Sequence, residues 1–321
     1  MACGDGQTFA VATSGKVWGW GCYKDKEGKT WFDPVPAATG NPPNIKRKQA
    51  EPMQIAPFNE QCAAVEVSCG GVYNIVRCED GRMFSWGLGE CGELCREVKP
   101  LKNPDTGDYD KAGMIKDSLT PGPMMIQQQG GACTEATHPK SIGCGAYHVL
   151  VVIGSSVYAS GLNNYGQLGT GTTESSTFLV KVAALEGEGV VSVKGGMHHS
   201  LVLTARGTVL AFGRADSGQL GLARLMGKSA GEFLTLPEEV VIESDGKSVE
   251  VGAITCGSNH NMVLRKNSNE VYSWGYGDML ALGHGKEQDE FKPKKINFSK
   301  SSSVERGSSV AQIVQVSDCE G

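Results

Sequence analysis

One phrase recurs along the chain, and it limits the fold more than any other feature. Its cleanest copy runs from Cys256 to Gly283. It opens Cys256-Gly257-Ser258-Asn259-His260, passes through apolar Met262, Val263 and Leu264, and turns at Asn267-Ser268-Asn269. It resumes with Glu270-Val271-Tyr272-Ser273-Trp274-Gly275 and closes at Leu282-Gly283. β-rich runs punctuated by Gly and Asn predict two short strands joined by a polar turn, then a glycine-bounded loop.

The phrase returns four more times. Gly195-Gly196-Met197-His198-His199 leads to Val209-Leu210-Ala211-Phe212-Gly213 and Gly218-Gln219-Leu220-Gly221. Cys144-Gly145-Ala146-Tyr147-His148 leads to Val157-Tyr158-Ala159-Ser160-Gly161 and Gly166-Gln167-Leu168-Gly169. Cys69-Gly70-Gly71-Val72-Tyr73 leads to Met83-Phe84-Ser85-Trp86-Gly87 and Gly92-Glu93-Leu94. The first copy, Cys3-Gly4-Asp5-Gly6-Gln7 with Gly15-Lys16-Val17-Trp18-Gly19-Trp20-Gly21, stands at the very start, with no strand-forming lead-in. Val310–Ser317 alternates apolar and polar residues and reads as the strand opening a sixth copy. Spacings of roughly 50 to 75 residues sit at or just above the range that marks propellers and solenoids. The repeats run from end to end, so residues 1–321 are expected to form one domain.

Composition supports this. The 44 glycines suit turn-dense β repeats, and a net charge of −5 argues against strong non-specific nucleic-acid binding. Four of the 11 cysteines (Cys3, Cys69, Cys144 and Cys256) fill one repeat slot. Equivalent slots are held apart, so these read as small buried residues in a reducing compartment, not as a disulfide framework or zinc site. No signal peptide and no stretch long enough to span a bilayer is evident, which points to nucleus or cytoplasm.

Between copies lie segments that read as loop. Cys22–Lys29 is a charged insertion with the composition of a solvated hairpin tip. Long insertions are expected at about 33–60, Pro-rich and with basic Lys46-Arg47-Lys48, and at about 96–131, with Asp105, Asp108 and Asp110. Gly221–Pro237 reads as an inter-repeat loop and Lys292-Pro293-Lys294-Lys295 as a short surface basic run.

Several apparent motifs dissolve in the repeat. Gly87-Leu88-Gly89-Glu90-Cys91-Gly92 fits a dinucleotide fingerprint but opens no helix. Cys91 and Cys95 lack a second ligand pair. His148 and His260 occupy a repeated position, where a turn histidine bonding within its own blade is the plain reading. No nucleophile, base or metal set converges, so neither enzyme chemistry nor a cofactor is expected.

Cys/Gly-Gly-x-x-His, then Gly-x-Val-Tyr/Phe-x-Trp/Phe-Gly, then Gly-Gln-Leu-Gly together resemble the repeat of the regulator of chromosome condensation family. The resemblance covers essentially the whole chain and implies an all-β, seven-bladed β-propeller with roughly its first two blades absent, five complete repeats and part of a sixth. It further implies guanine-nucleotide exchange on the small GTPase Ran, a nuclear location, and histones or the nucleosome as a second partner. The alternative is a protein-interaction scaffold of the same superfamily without exchange activity. The insertion Tyr23, Lys24, Asp25, Lys26, Glu27 and Gly28 falls where the family's exchange factor carries the wedge it presses against the GTPase. By the same resemblance Asp5, Arg96, His198 or His199, and Arg214 match positions on the face that grips Ran. Two departures stand out. Val72 and Tyr73 replace an acidic residue followed by His, and the loop after Arg96 is acidic where the family uses arginines to hold the nucleosome.

Overall fold

The computed structural model describes residues 1–32, 46–98, 111–227 and 231–298. Five sheets follow one another along it as blades, each with four antiparallel strands and the third extended by two more. Blade one is built from Ala2–Cys3, Gln7–Val11, Val17–Gly21 and Gln49–Ile55. Blade two uses Ala64–Cys69, Tyr73–Cys78, Met83–Gly87 and Gly122–Pro123. Blade three uses Pro139–Cys144, His148–Ile153, Ser156–Gly161 and Ser176–Lys181, and blade four Val190–Gly195, His199–Thr204, Val209–Arg214 and Phe233–Val240. Blade five uses Val251–Cys256, His260–Arg265, Val271–Gly275 and Glu290–Lys295. This is the propeller that the repeat predicts. The turn foreseen at Asn267 forms, with that residue in the left-handed region at φ 55°.

The core lies between blades. Phe9 meets Trp86 edge-on across the first junction, at 5.3 Å between ring centroids. Ile75 and Val149 share the second cluster, Leu150 and Phe212 the third, Leu201 and Trp274 the fourth. Alternate residues of each second strand therefore face opposite neighbours, which a period-two strand achieves by construction. Inner strands crowd together. In blades one to four a glycine of the phrase allows that approach: a Cβ on Gly70 would lie 2.5 Å from the carbonyl oxygen of Gly145, and one on Gly145 would lie 2.5 Å from that of Gly196.

The insertions are less loop-like than the sequence suggests. The segment assigned to 33–60 contains the outer strand of blade one, Gln49–Ile55. The segment assigned to 96–131 holds a helix at Lys111–Leu119, the outer strand of blade two and Met125–Gln127, which joins Cys133–Glu135 in a ribbon on the edge of blade three. The Gly221–Pro237 loop runs into outer strand Phe233–Val240, and the basic run at Lys292 is itself an outer strand, with Lys294 paired to Glu290 and Lys295 to Glu270. Of the cysteines in the repeat slot, Cys69 and Cys256 are buried, but Cys3 is exposed and Cys144 half-buried. The strand expected at Val310–Ser317 lies outside the described residues.

Candidate GTPase-binding face

Each blade brings two loops to the same end, and one backbone bond fixes them together. Arg214 N–H donates to His198 O at 2.9 Å, and Cys22→Gly6, Leu88→Val72, Leu162→Tyr147 and Tyr276→Asn259 repeat it. Neighbouring blades are tied at this end as well, by Asp5 N–H to Gly71 O at 2.9 Å and Met197 N–H to Ser258 O at 2.8 Å. Asp5, the Tyr23–Gly28 hairpin, His198 and Arg214 are all carried by these loops, so the fold brings them to one face.

The hairpin pairs Tyr23–Lys24 with Thr30–Trp31. Its root is bolted down. The Tyr23 ring is fully buried and stacks on Phe32 at 6.0 Å, which stacks on Phe9 at 6.4 Å. The Tyr23 hydroxyl lies 2.5 Å from the Asn74 amide. With the amide oxygen turned towards it, that oxygen also accepts from Trp86 Nε1 at 3.3 Å. Burial pushes the hydroxyl well above its ordinary pKa of 10.0. Asp25 is buried too. Its Oδ1 accepts from the backbone of Glu27 (3.0 Å) and Lys29 (2.8 Å), and its Oδ2 from Trp31 Nε1 (2.9 Å). Gly28 takes φ 79°, which the turn requires and which only glycine adopts freely. Arg47 covers the outer face of Trp31 at 4.0 Å. What reaches solvent is Lys24 and the tip, Lys26, Glu27, Gly28 and Lys29.

Four of the expected contact residues are therefore interior residues. Tyr23 and Asp25 hold the hairpin. Arg96 is only 8% exposed. Its guanidinium donates to the carbonyls of Asp117 (2.9 Å) and Thr120 (2.8 Å), closing the C-terminal end of the 111–119 helix. His199 is fully buried and bonds across to blade five. Between the two histidine candidates, His198 is the one at the surface.

His198 sits in an aromatic cluster that the sequence did not single out. It stacks on Tyr147 at 5.5 Å and leans on Tyr165 at 5.1 Å. Arg214 lies over Tyr165 at 5.2 Å while its Nε and Nη2 fork onto Asp216 at 2.8 Å. Phe233, 39% exposed, meets Tyr165 edge-on. Burial, and then the Arg214 charge, lower the His198 pKa. Tyr147 stands one place before the repeat histidine and Tyr165 one place before the Gly166-Gln167-Leu168 turn. Both positions vary between copies, and that variability was the available signal.

Beneath the face runs a buried seam. Ser200 Oγ donates to Gln167 O (2.7 Å) and so accepts from His148 Nε2–H (2.8 Å). Asn261 Nδ2 donates to Gln219 O (2.6 Å) while its Oδ1 accepts from His199 Nε2–H (2.8 Å). Both histidines are thus the Nε2–H tautomer, with Nδ1 unpartnered. Burial lowers their pKa to about 3 for His148 and about 4 for His199. The bonds run between blades, not within one, which corrects the turn-histidine reading for His148. Tyr73 takes the same slot in blade two and donates to Gly145 O (2.8 Å) and His148 O (2.7 Å), so phenol replaces imidazole with the same reach. His260 is half-buried, and burial lowers its pKa.

The Gly-x-Leu turns carry a second repeated device. Gln167 Oε1 accepts from Tyr165 N–H (2.9 Å) and Nε2 donates to Asn164 (3.3 Å). Gln219 does the same with Ser217 (2.9 Å) and Asp216 (3.4 Å). Blade two has Glu93, which accepts from Cys91 N–H at 2.7 Å. Burial, reinforced by Glu90, pushes this carboxyl up to about 7. Glu90 in turn meets the hairpin tip through Lys26 at 2.7 Å. Among the described residues no group of three or more His, Cys, Asp or Glu side chains is placed to hold a metal ion.

A family model described as RCC1-like domain matches residues 1–317. The human regulator of chromosome condensation is 26% identical over 300 residues, covering 92% of this chain and 64% of its own length. The ultraviolet-B receptor UVR8 of Arabidopsis thaliana is 27% identical, with 92% and 57% covered. Among solved structures, Prp20p from Saccharomyces cerevisiae, described with its binding properties to Gsp1p and histones, aligns at TM-score 0.72 and 23% identity. That match covers 92% of this chain and 62% of that one. The chain thus spans just under two thirds of the length of the human regulator and of Prp20p. With repeat, blades and family model in agreement, the chain belongs to the family of RCC1-like domains.

Proposed function

We propose that this protein is a nucleotide-exchange factor for Ran, working without covalent chemistry. The observation that carries the reading is the hairpin. Its root is fixed by Tyr23, Asp25, Trp31 and Phe32, so the charged tip at Lys24, Lys26, Glu27 and Gly28 projects from a rigid base. A wedge must be stiff to act: a tip that yields cannot disturb the phosphate and magnesium contacts of a bound nucleotide. Asp5, His198 and Arg214 grip the GTPase beside it. Release is accelerated only as far as the protein prefers the nucleotide-free GTPase over the loaded one. In this reading the protein works in the nucleus, and the acidic loop after Arg96 weighs against histones or the nucleosome as a second partner. The acidic residues 105, 108 and 110 bearing on that contact lie outside the described residues.

A second reading, a scaffold without exchange activity, is favoured by the similarity to an ultraviolet-B receptor and by half-buried, apolar Val72 at a position the resemblance makes acidic. Release of a fluorescent GDP analogue from Ran separates the two. Acceleration by this protein over buffer supports exchange. No acceleration, with Ran still retained on the immobilised protein, supports the scaffold.

A further inference from the structure

Cys62 and Cys78 stand apart from the repeat slot, and the fold brings them together. Cys62 ends the loop that leads into the inner strand of blade two, and Cys78 ends its second strand. Ala64, two residues after Cys62, pairs directly with Cys78 across the ladder. The sulfurs are 3.2 Å apart, with Cys78 fully buried and Cys62 7% exposed. Both ends are held: Cys62 N–H donates to Asn59 O at 3.0 Å, and Cys78 N–H to Arg82 O at 2.9 Å. Cys78 lies at the opposite end of its strand from Tyr73, away from the loops of the candidate face.

We infer that Cys62 and Cys78 form an oxidisable dithiol, a site of reversible disulfide formation with low-molecular-weight disulfides. Closing the bond needs the sulfurs to approach by about 1 Å, to the ordinary bond length of ~2.05 Å. Cys62, the more accessible, attacks one sulfur of the oxidant RSSR, forming a mixed disulfide and releasing RS⁻, which takes the Cys62 proton. Cys78 then attacks Cys62 Sγ, forming the protein disulfide and releasing the second RSH with the Cys78 proton. Two protein thiols and one RSSR thus give one disulfide and two RSH. Burial, and next the Cys62 sulfur, hold the Cys78 thiol well above its usual range, while the Arg82 guanidinium, fixed on Asp80 at 2.7 Å, opposes them. The second step is therefore slow at neutral pH and quickens as pH rises.

The test treats the full chain with glutathione disulfide, blocks free thiols by alkylation and digests without reduction. The expected product is a Cys62–Cys78 linked peptide lacking two hydrogens. Its formation raises the melting temperature by about 5 °C, as closing a short loop predicts, and dithiothreitol reverses the shift. Cys78→Ser leaves Cys62 as a glutathione mixed disulfide with no shift. Recovery of both cysteines alkylated from the treated native protein, or of Cys62 only as the mixed disulfide, overturns the inference.

Discussion

The seam and the rim of this protein are built from the same repeated phrase and differ in what their side chains meet. At the seam, His148, His199 and Tyr73 are fully buried, and each spends its polar group on the next blade. At the rim, the neighbouring positions Asp5, His198 and Arg214 and the tip residues Lys24 and Lys26 face solvent wholly or in part. A shift of one residue along the phrase separates a structural histidine from a surface one: His198 lies in the bend before the second strand and His199 is that strand's first, fully buried residue. Changes at the seam should therefore be felt as stability, and changes at the rim as partner binding.

The largest expected effect is at the seam. His199→Ala removes a buried ring and leaves Asn261 Oδ1 without its donor, for a loss of about 3 kcal/mol in urea unfolding. A loss below about 1 kcal/mol would erase the distinction between seam and rim. Acid reaches the same residues without mutation. Both seam histidines have folded pKa values depressed below 6.5, to about 3 and about 4, so the unfolded chain binds protons first. Stability is complete above pH 6.5 and falls as pH drops towards 4, by about 2 kcal/mol for each histidine at pH 5. A flat stability profile between pH 7 and pH 5 would contradict the buried, neutral assignment.

A smaller effect sits where seam and rim meet. The folded pKa of Glu93 is raised from 4.5 to about 7, so the folded chain holds a proton that the unfolded chain releases. Its contribution is present below pH 4.5 and is lost as pH rises through 7. Glu93→Gln restores the amide found at Gln167 and Gln219. It should stabilise the protein by about 1–2 kcal/mol at pH 8 and by little at pH 4, read as the difference between two melting curves.

The inner parts of the blades were legible in the sequence and the outer parts were not. Strands such as Val149–Val152 and Leu201–Leu203 are buried and apolar, so the phrase announces them. Outer strands face solvent and carry no such alternation. Four of the five contain proline: Pro52, Pro123, Pro237 and Pro293. Proline is tolerated there because an edge strand leaves N–H groups unused, yet it reads as loop in the sequence. The site was half legible for a related reason. Repeat position located the face, but whether Asp25 or Arg96 points out or in depends on partners distant in sequence or in type, Trp31 for the one and the carbonyls of Asp117 and Thr120 for the other.

The smallest expected effect on stability is at the hairpin tip, and there the functional account is most exposed. Lys24→Glu/Lys26→Glu reverses two exposed charges, removes one surface ion pair with Glu90 and leaves Asp25 in place. Unfolding free energy should change by less than about 0.5 kcal/mol. The measurement is release of a fluorescent GDP analogue from Ran by native protein and by this variant, with a melting curve of each. The account predicts acceleration by the native protein, its loss in the variant, and superimposable melting curves. Full acceleration by the charge-reversed tip would contradict it.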